Sequence, residues 1–383
     1  MNLGRYIYQK LLIIFKLDLR SLALFRICLA LFIMASFLSR FHLIADYYSD
    51  GGSLPRSELI NVISSEYWSL NLITGSVFGQ QILFIIGIFA AALLLMGYRT
   101  QLATIICWVM LLSLHNRNPS LVASSDDILR IVIFWVMFLP LGAYYSCDRA
   151  LNTSNQPLPQ AVISGGTIGF TFQIVLLWIF YFNNVDSLAI LLLTLLAFIP
   201  GFVWIFLDKQ TYSKEISGLV INYDRDCGFC KKVVCFLQTF LILSGVTIRE
   251  AQANPSIYAD MEKYNSWVIE DYRGERYFKW YGIVYVVSIS PVLWWLAPIL
   301  SIKPLMKLGN KIYETIANNR RLIGNFTRLF LFHSQSIQPS SLLNSLAILG
   351  LTLTLINYLE LVFNFIPESS IINSLIKILR LDT

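Results

Sequence analysis

Residues 221–234 read INYDRDCGFCKKVV, and the character of the chain's polar third turns on these fourteen residues. The run from Gly218 to Tyr223 is compact and rich in branched apolar residues, as a buried strand requires. It ends in Asp224, Arg225 and Asp226. From Gly228 to Leu243 the residues Phe229, Val233, Phe236, Leu237, Phe240 and Leu241 recur at helical spacing. The pattern predicts a strand, an acidic turn and a helix with Cys227 at its start. A cysteine there meets unpaired backbone N–H groups and the positive end of the helix dipole, both of which favour thiolate. Lys231 and Lys232 add positive charge one turn on, whereas Asp224 and Asp226 act in the opposite sense. Each pKa unit of lowering is worth about 1.4 kcal/mol in favour of thiolate. Cys227 is thus read as the attacking nucleophile and Cys230 as the resolving thiol. Gly228 lets a backbone approach closely, and Phe229 offers an apolar contact to a substrate.

Downstream, the sequence predicts a strand at 246–250, a short helix at 257–263, a strand at 266–270, a turn at 272–275 and a strand at 276–279. The order β-α-β-α-β-β, with the dithiol at the first strand-to-helix turn, is that of a thioredoxin-like α/β domain. Structural zinc would need four ligands. Only Cys235 is near, and His42, His115 and His333 are remote in sequence, so no metal is expected. Helix-packing cysteines without redox activity are the alternative.

These residues carry a resemblance. Tyr223-Asp-Arg-Asp-Cys-Gly-Phe-Cys230 is similar to the signature of the DCC-type thiol-disulfide oxidoreductases, which usually have a small residue where Arg225 stands. The strands within 268–277 and the stretch Ile312-Tyr-Glu-Thr-Ile-Ala-Asn-Asn-Arg-Arg321 resemble that family's later elements. The likeness spans roughly 218–325. It implies disulfide exchange at Cys227 and Cys230. Unlike thioredoxins proper, the chain has no proline just before Ser266, where a cis-proline usually shapes the substrate groove.

The rest of the chain is apolar. Of 383 residues, 56% are hydrophobic and only 14% charged, which places the chain among α-helical polytopic membrane proteins. Six spans are expected before the dithiol, at 22–41, 82–96, 102–114, 128–145, 169–182 and 188–207, and a C-terminal membrane helix at 342–363. The division that follows is a six-helix domain over 1–207, a linker over 208–217, the thioredoxin-like domain over 218–325, a linker over 326–341, and a membrane helix with an amphipathic tail over 342–383. Arg5, Lys10, Lys16 and Arg20 precede the first span against Asp18 alone, which puts the N-terminus in the cytoplasm. An even count of six then returns the dithiol to that side of the cell membrane. The apolar stretch 281–302, with Pro291, Pro298, Trp294 and Trp295, reads as a kinked helix pair of the dithiol domain lying at the bilayer interface, with a membrane crossing as the alternative. The charge of +6 fits lipid headgroups and topology; no basic run with interleaved aromatics appears, so no nucleic acid is expected.

Charges in or against spans mark function. Arg26 lies within the first expected span, with snorkelling to the interface as its ordinary explanation. His115, Arg117, Asp127 and Arg130 stand near one another in sequence and suggest a polar cluster, with helix capping by Asp126 and Asp127 as the plain alternative. Leu24-Phe-Arg-Ile27, Tyr48-Ser-Asp-Gly-Gly52, Asp127-Ile-Leu-Arg130, Phe138-Leu-Pro-Leu-Gly142 and Cys147-Asp148 resemble the HTTM membrane domain related to vitamin K-dependent γ-carboxylases and to maturation proteins of a sporulation-delaying toxin. Carboxylase-like members carry a catalytic lysine after the Tyr-Phe of the fifth helix, whereas this chain runs Tyr181-Phe-Asn-Asn-Val-Asp186. Two functions follow. The first is a membrane-tethered thiol-disulfide oxidoreductase that reduces, or relays thiols on, a cysteine-containing peptide or protein. The second is a peptide-maturation or immunity protein whose helical part binds a small hydrophobic peptide or lipid-like molecule. No cofactor is required, and a quinone-like molecule is one ligand the membrane part could hold.

Overall fold

The computed structural model of the chain describes residues 13–62, 68–152, 159–211, 214–243, 246–327, 331–332 and 340–365. Arg5, Lys10, His333 and the tail 366–383 lie outside the described residues.

The helical part is built on α1 (Leu19–Phe41), α2 (Val77–Met96), α3 (Thr100–Arg117), α4 (Ser124–Val136), α5 (Gly165–Tyr181), α6 (Val185–Leu195) and α7 (Gly201–Thr211), joined late in the chain by α13 (Ser341–Phe365). Asp18 caps α1 by accepting from Arg20 N–H (2.9 Å), and Ser76 caps α2 by accepting from Gly79 N–H (3.1 Å). Gly97, at φ 71°, ends α2 in the left-handed region. Two-residue strands β1 (Leu17–Asp18) and β2 (Ala161–Val162) pair antiparallel beside the α1 start.

Among the described residues, three helices, α1, α2 and α13 over Ser341–Leu359, are long and apolar enough to cross a membrane, and a bent pair makes a fourth if it counts as one span. Of the six spans expected before the dithiol, the first, second, third and fifth positions are helical and two are interrupted. The fourth, expected over 128–145, stops at Val136, because Pro140 and Gly142 lie in the turns that follow. The sixth, expected over 188–207, breaks at Pro200, which has no N–H to continue a helix; the pieces Val185–Phe198 and Gly201–Leu207 meet at 71°. The third is present as α3 but carries buried Thr104, Ser113, His115 and Arg117.

The second part follows the expected order: β3 (Val220–Tyr223), α8 (Gly228–Phe240), β4 (Thr247–Glu250), α9 (Pro255–Tyr264), β5 (Val268–Glu270) and β6 (Arg276–Tyr277), then α10 (Lys279–Ser288), α11 (Lys303–Asn318) and α12 (Arg320–Phe326). The sheet order is β4-β3-β5-β6, with β3 parallel to β4 and antiparallel to β5. Ile221 and Ile269 meet Cys230, Val234 and Val286 in one core, while Val268 packs with Ile257 and Met261 of α9 in another. The alternation along the strands thus gives the sheet a helical layer on each face. Stretch 281–302 is a series of short helices. Val286, Val287 and Ala297 are buried in the sheet's core, while Trp294 and Trp295 stay more than half exposed.

Tyr313 of α11 fastens the entry to β5. Its hydroxyl accepts from Trp267 N–H (3.0 Å) and lies 3.2 Å from Ser266 Oγ; burial pushes the phenol pKa up. Tyr313→Phe leaves a buried N–H unpaired. It should cost the domain about 1–3 kcal/mol, read as a lower denaturant midpoint with unchanged slope.

Candidate active site

β3 is the second strand of its sheet, and the chain leaves its C-terminal end through a tight turn. Cys227 N–H donates to Asp224 O (3.2 Å), and Asp226 N–H donates to Asp224 Oδ1 (3.1 Å). Gln252, just after β4, brackets the turn from outside: its Nε2 donates to Asp224 Oδ1 (2.8 Å) and its Oε1 accepts from Arg225 N–H (3.1 Å). Cys227 is the N-cap of α8, and its sulfur accepts from Cys230 N–H (3.2 Å). The two cysteines are disulfide-bonded, with Cα atoms 5.2 Å apart. Cys230 is buried and Cys227 half-buried, so one sulfur sits in the core and the other at its edge.

Cys227 borders a cleft of about 800 Å³. Asp224, Asp226, Gly228, Phe229 and Lys232 line one side, and Arg320, Gly324, Asn325 and Thr327 line the other. A Cβ added at Gly228 would meet nothing within 4 Å, so the cleft is open over the dithiol. Arg320 reaches across it. Its guanidinium lies 3.8 Å from Asp224 Oδ2 and donates to Asn265 O (3.2 Å) and Oδ1 (3.1 Å).

The remaining charges are arranged unequally. Arg225 lies 3.7 Å from Asp226, but both side chains are mostly in solvent, so the pair contributes little. Lys231 and Lys232 hold their ammonium groups 5.8 and 5.7 Å from the Phe332 ring. Lys232 also donates to Thr327 O (2.6 Å), and burial pushes its pKa down. Cys235, free and half-buried on α8, has its thiol pKa pushed up by burial. Among the described residues, no group of three or more His, Cys, Asp or Glu is placed to hold a metal ion.

The polar residues of the helical part fall into separate groups. Arg26 is fully buried near the N-terminal end of α1. It donates to Leu141 O (3.0 Å), Tyr144 O (3.5 Å) and Tyr145 O (2.7 Å). It therefore ties down a turn instead of snorkelling. Arg40 lies fourteen residues further along α1, about 21 Å away, and donates to Asp126 Oδ2 (2.5 Å). Asp126 Oδ1 stands 3.4 Å from His115 Nε2. Arg117 donates to Leu54 O (2.9 Å) and Ser49 O (3.3 Å) and lies 3.8 Å from Asp50. Asp127 pairs with Arg130 one turn on, and both border a cavity of about 520 Å³ with Trp108, Phe134, Gln173 and Tyr358. His115, Arg117, Asp127 and Arg130 thus share the far end of the helices, and Arg26 stands at the other.

The dithiol part sits at the Arg26 end. Helix α8 packs on the one-turn helix Cys147–Ala150. Asp148 of that turn accepts from Arg99 N–H (2.7 Å) and Thr100 N–H (2.9 Å) at the start of α3. Leu331 and Phe332 border a cavity of about 440 Å³ with Tyr98–Leu102. Gln252, Arg320 and Asn265 were not singled out as site residues from sequence. They lie far along the chain from the dithiol, and among them only the Arg320 stretch carried a signal, the family-like run 312–321.

Compared with known families, residues 221–325 match the family described as DCC1-like thiol-disulfide oxidoreductase. The match covers about a quarter of the chain, and no family match carries the HTTM resemblance of the helical part. No curated protein and no solved structure matches the chain.

Proposed function

We propose that the chain is a membrane-tethered thiol-disulfide oxidoreductase whose thioredoxin-like domain reduces, or relays thiols on, a cysteine-containing peptide or protein. One observation carries this reading: inside the family-matched segment, a buried Cys230 backs a Cys227 that caps α8 and opens onto a cleft. The Cys227 thiolate attacks one sulfur of the client disulfide and expels the other as thiol. The Cys230 thiolate then attacks Cys227 Sγ, releasing the second client thiol and leaving the protein disulfide. Two electrons pass to the client, and a cellular thiol reductant restores the dithiol. Redox titration of the full chain against glutathione buffers, with mass spectrometry of the Cys227 peptide, tests it; a pair that stays inert across the accessible range sinks the reading.

The dithiol is proposed to face the cytoplasm. With two of the six expected spans interrupted, the support is positional: Arg26, near the start of α1, bonds the turn that leads into 147–150, on which α8 packs. Dithiol and basic N-terminus are then on one side whatever the number of crossings. A membrane-impermeant thiol reagent should label Cys227 in opened vesicles and not in intact cells. Labelling in intact cells reverses the orientation. The helical part is read as HTTM-like, and the far-end cavity beside Asp127 and Arg130 is where it would take a small hydrophobic peptide or a lipid-like, quinone-like molecule.

A further inference from the structure

We propose that Arg320 is a positioning residue for the dithiol: by neutralising the Asp224 carboxylate across the cleft, it sets how readily Cys227 becomes a thiolate. The proposal rests on the oxidoreductase reading and names a control that the CxxC stretch does not contain.

Asp224 is the hub of the turn that presents Cys227. Oδ1 is taken by Gln252 Nε2 and Asp226 N–H, and Oδ2 is the oxygen turned to Arg320. The guanidinium is held from outside the dithiol helix. It belongs to α12, and two bonds fix it to Asn265, the left-handed residue (φ 47°) that ends α9. Its place is therefore set by the sheet and its flanking helices, not by whichever redox state α8 is in. The Arg320 and Asp224 side chains are 20% and 22% exposed, against 59% and 77% for Arg225 and Asp226. The shielded pair is less screened by water and salt and is the one with leverage.

The other groups around the turn do not replace it. Arg225 and Asp226 stand mostly in solvent, Lys232 keeps its charge but turns it to Thr327 O, Lys231 lies toward Phe332, and Tyr258 of α9, bonded to Glu262, brings no positive charge to Asp224. A thiolate forms more readily in positive surroundings, so an uncompensated carboxylate three residues upstream opposes it.

The test is alkylation of the reduced full-length chain by iodoacetamide as a function of pH, read at the Cys227 peptide. Arg320→Gln should move the midpoint up by about half a pH unit, the size a unit charge exerts on a nearby group in largely aqueous surroundings. Asp224→Asn should move it down by a similar amount. The double variant should return close to the parent. Arg320→Lys, which keeps the charge, should move it less than Arg320→Gln and shows that charge and not shape is acting. An unmoved midpoint in a folded Arg320→Gln overturns the proposal, as does a double variant that stays with Arg320→Gln. A parent chain whose Cys227 does not alkylate overturns the oxidoreductase reading itself, a result that shifts in the variants cannot mimic.

Discussion

Cys227→Ser should remove disulfide exchange altogether, a loss of at least roughly 1,000-fold, because a serine hydroxyl supplies no thiolate at neutral pH. Cys230→Ser should behave differently. The first attack still occurs, but no second sulfur waits behind it in the core, so a mixed disulfide between Cys227 and its client accumulates and can be isolated. This asymmetry separates catalysis from stapling. A staple would make the two variants equivalent, each merely less stable. The stapling effect is small in any case, because the cysteines are three residues apart and closing so short a loop is worth about 2 kcal/mol at most. Thiol trapping followed by non-reducing electrophoresis reads the outcome. Equal behaviour, with no trapped species from either variant, counts against exchange chemistry.

The second large effect is expected far from the dithiol. Arg26→Met strips the donors from the carbonyls of Leu141, Tyr144 and Tyr145, which lie in the turn between α4 and the one-turn helix at 147–150. Losing a charged donor costs about 1–3 kcal/mol at the buried Leu141 carbonyl and less at the part-buried carbonyls of Tyr144 and Tyr145, partly offset by no longer burying a guanidinium. A net loss of about 2–4 kcal/mol should lower the thermal midpoint in detergent by roughly 5–10 °C. Because α8 packs on 147–150, the variant should also loosen the seat of the dithiol part, seen as faster hydrogen exchange in α8. Arg26→Lys should recover part of the loss. A full recovery, or an unchanged midpoint for Arg26→Met, would show that snorkelling was the right account.

The dithiol corner was legible because its signals are local. A β-branched run, an acidic turn and a 3.6-residue period lie within two dozen residues, and the later strands are marked by their own turns. What escaped were partners brought in by the fold. Gln252 and Arg320 are 28 and 96 residues from Asp224, and even the family-like run that holds Arg320 does not say where its side chain goes. The interruptions of two expected spans escaped for a different reason. Hydropathy weighs Pro140 and Pro200 as single residues among many apolar ones, whereas each interrupts a hydrogen-bond ladder. Arg26 was located correctly but explained by position along its helix alone. The carbonyls it serves arrive from 115 residues away.

The seat of the dithiol part has a kinetic consequence. Seated through α8 on 147–150, the dithiol keeps a fixed place beside the helical part, so any client that the helical part holds would meet it at an effective concentration on the order of millimolar. Exchange with a client resident there would not depend on how many copies the cell makes. A client free in bulk solution would meet the dithiol only at the copy number's far lower concentration.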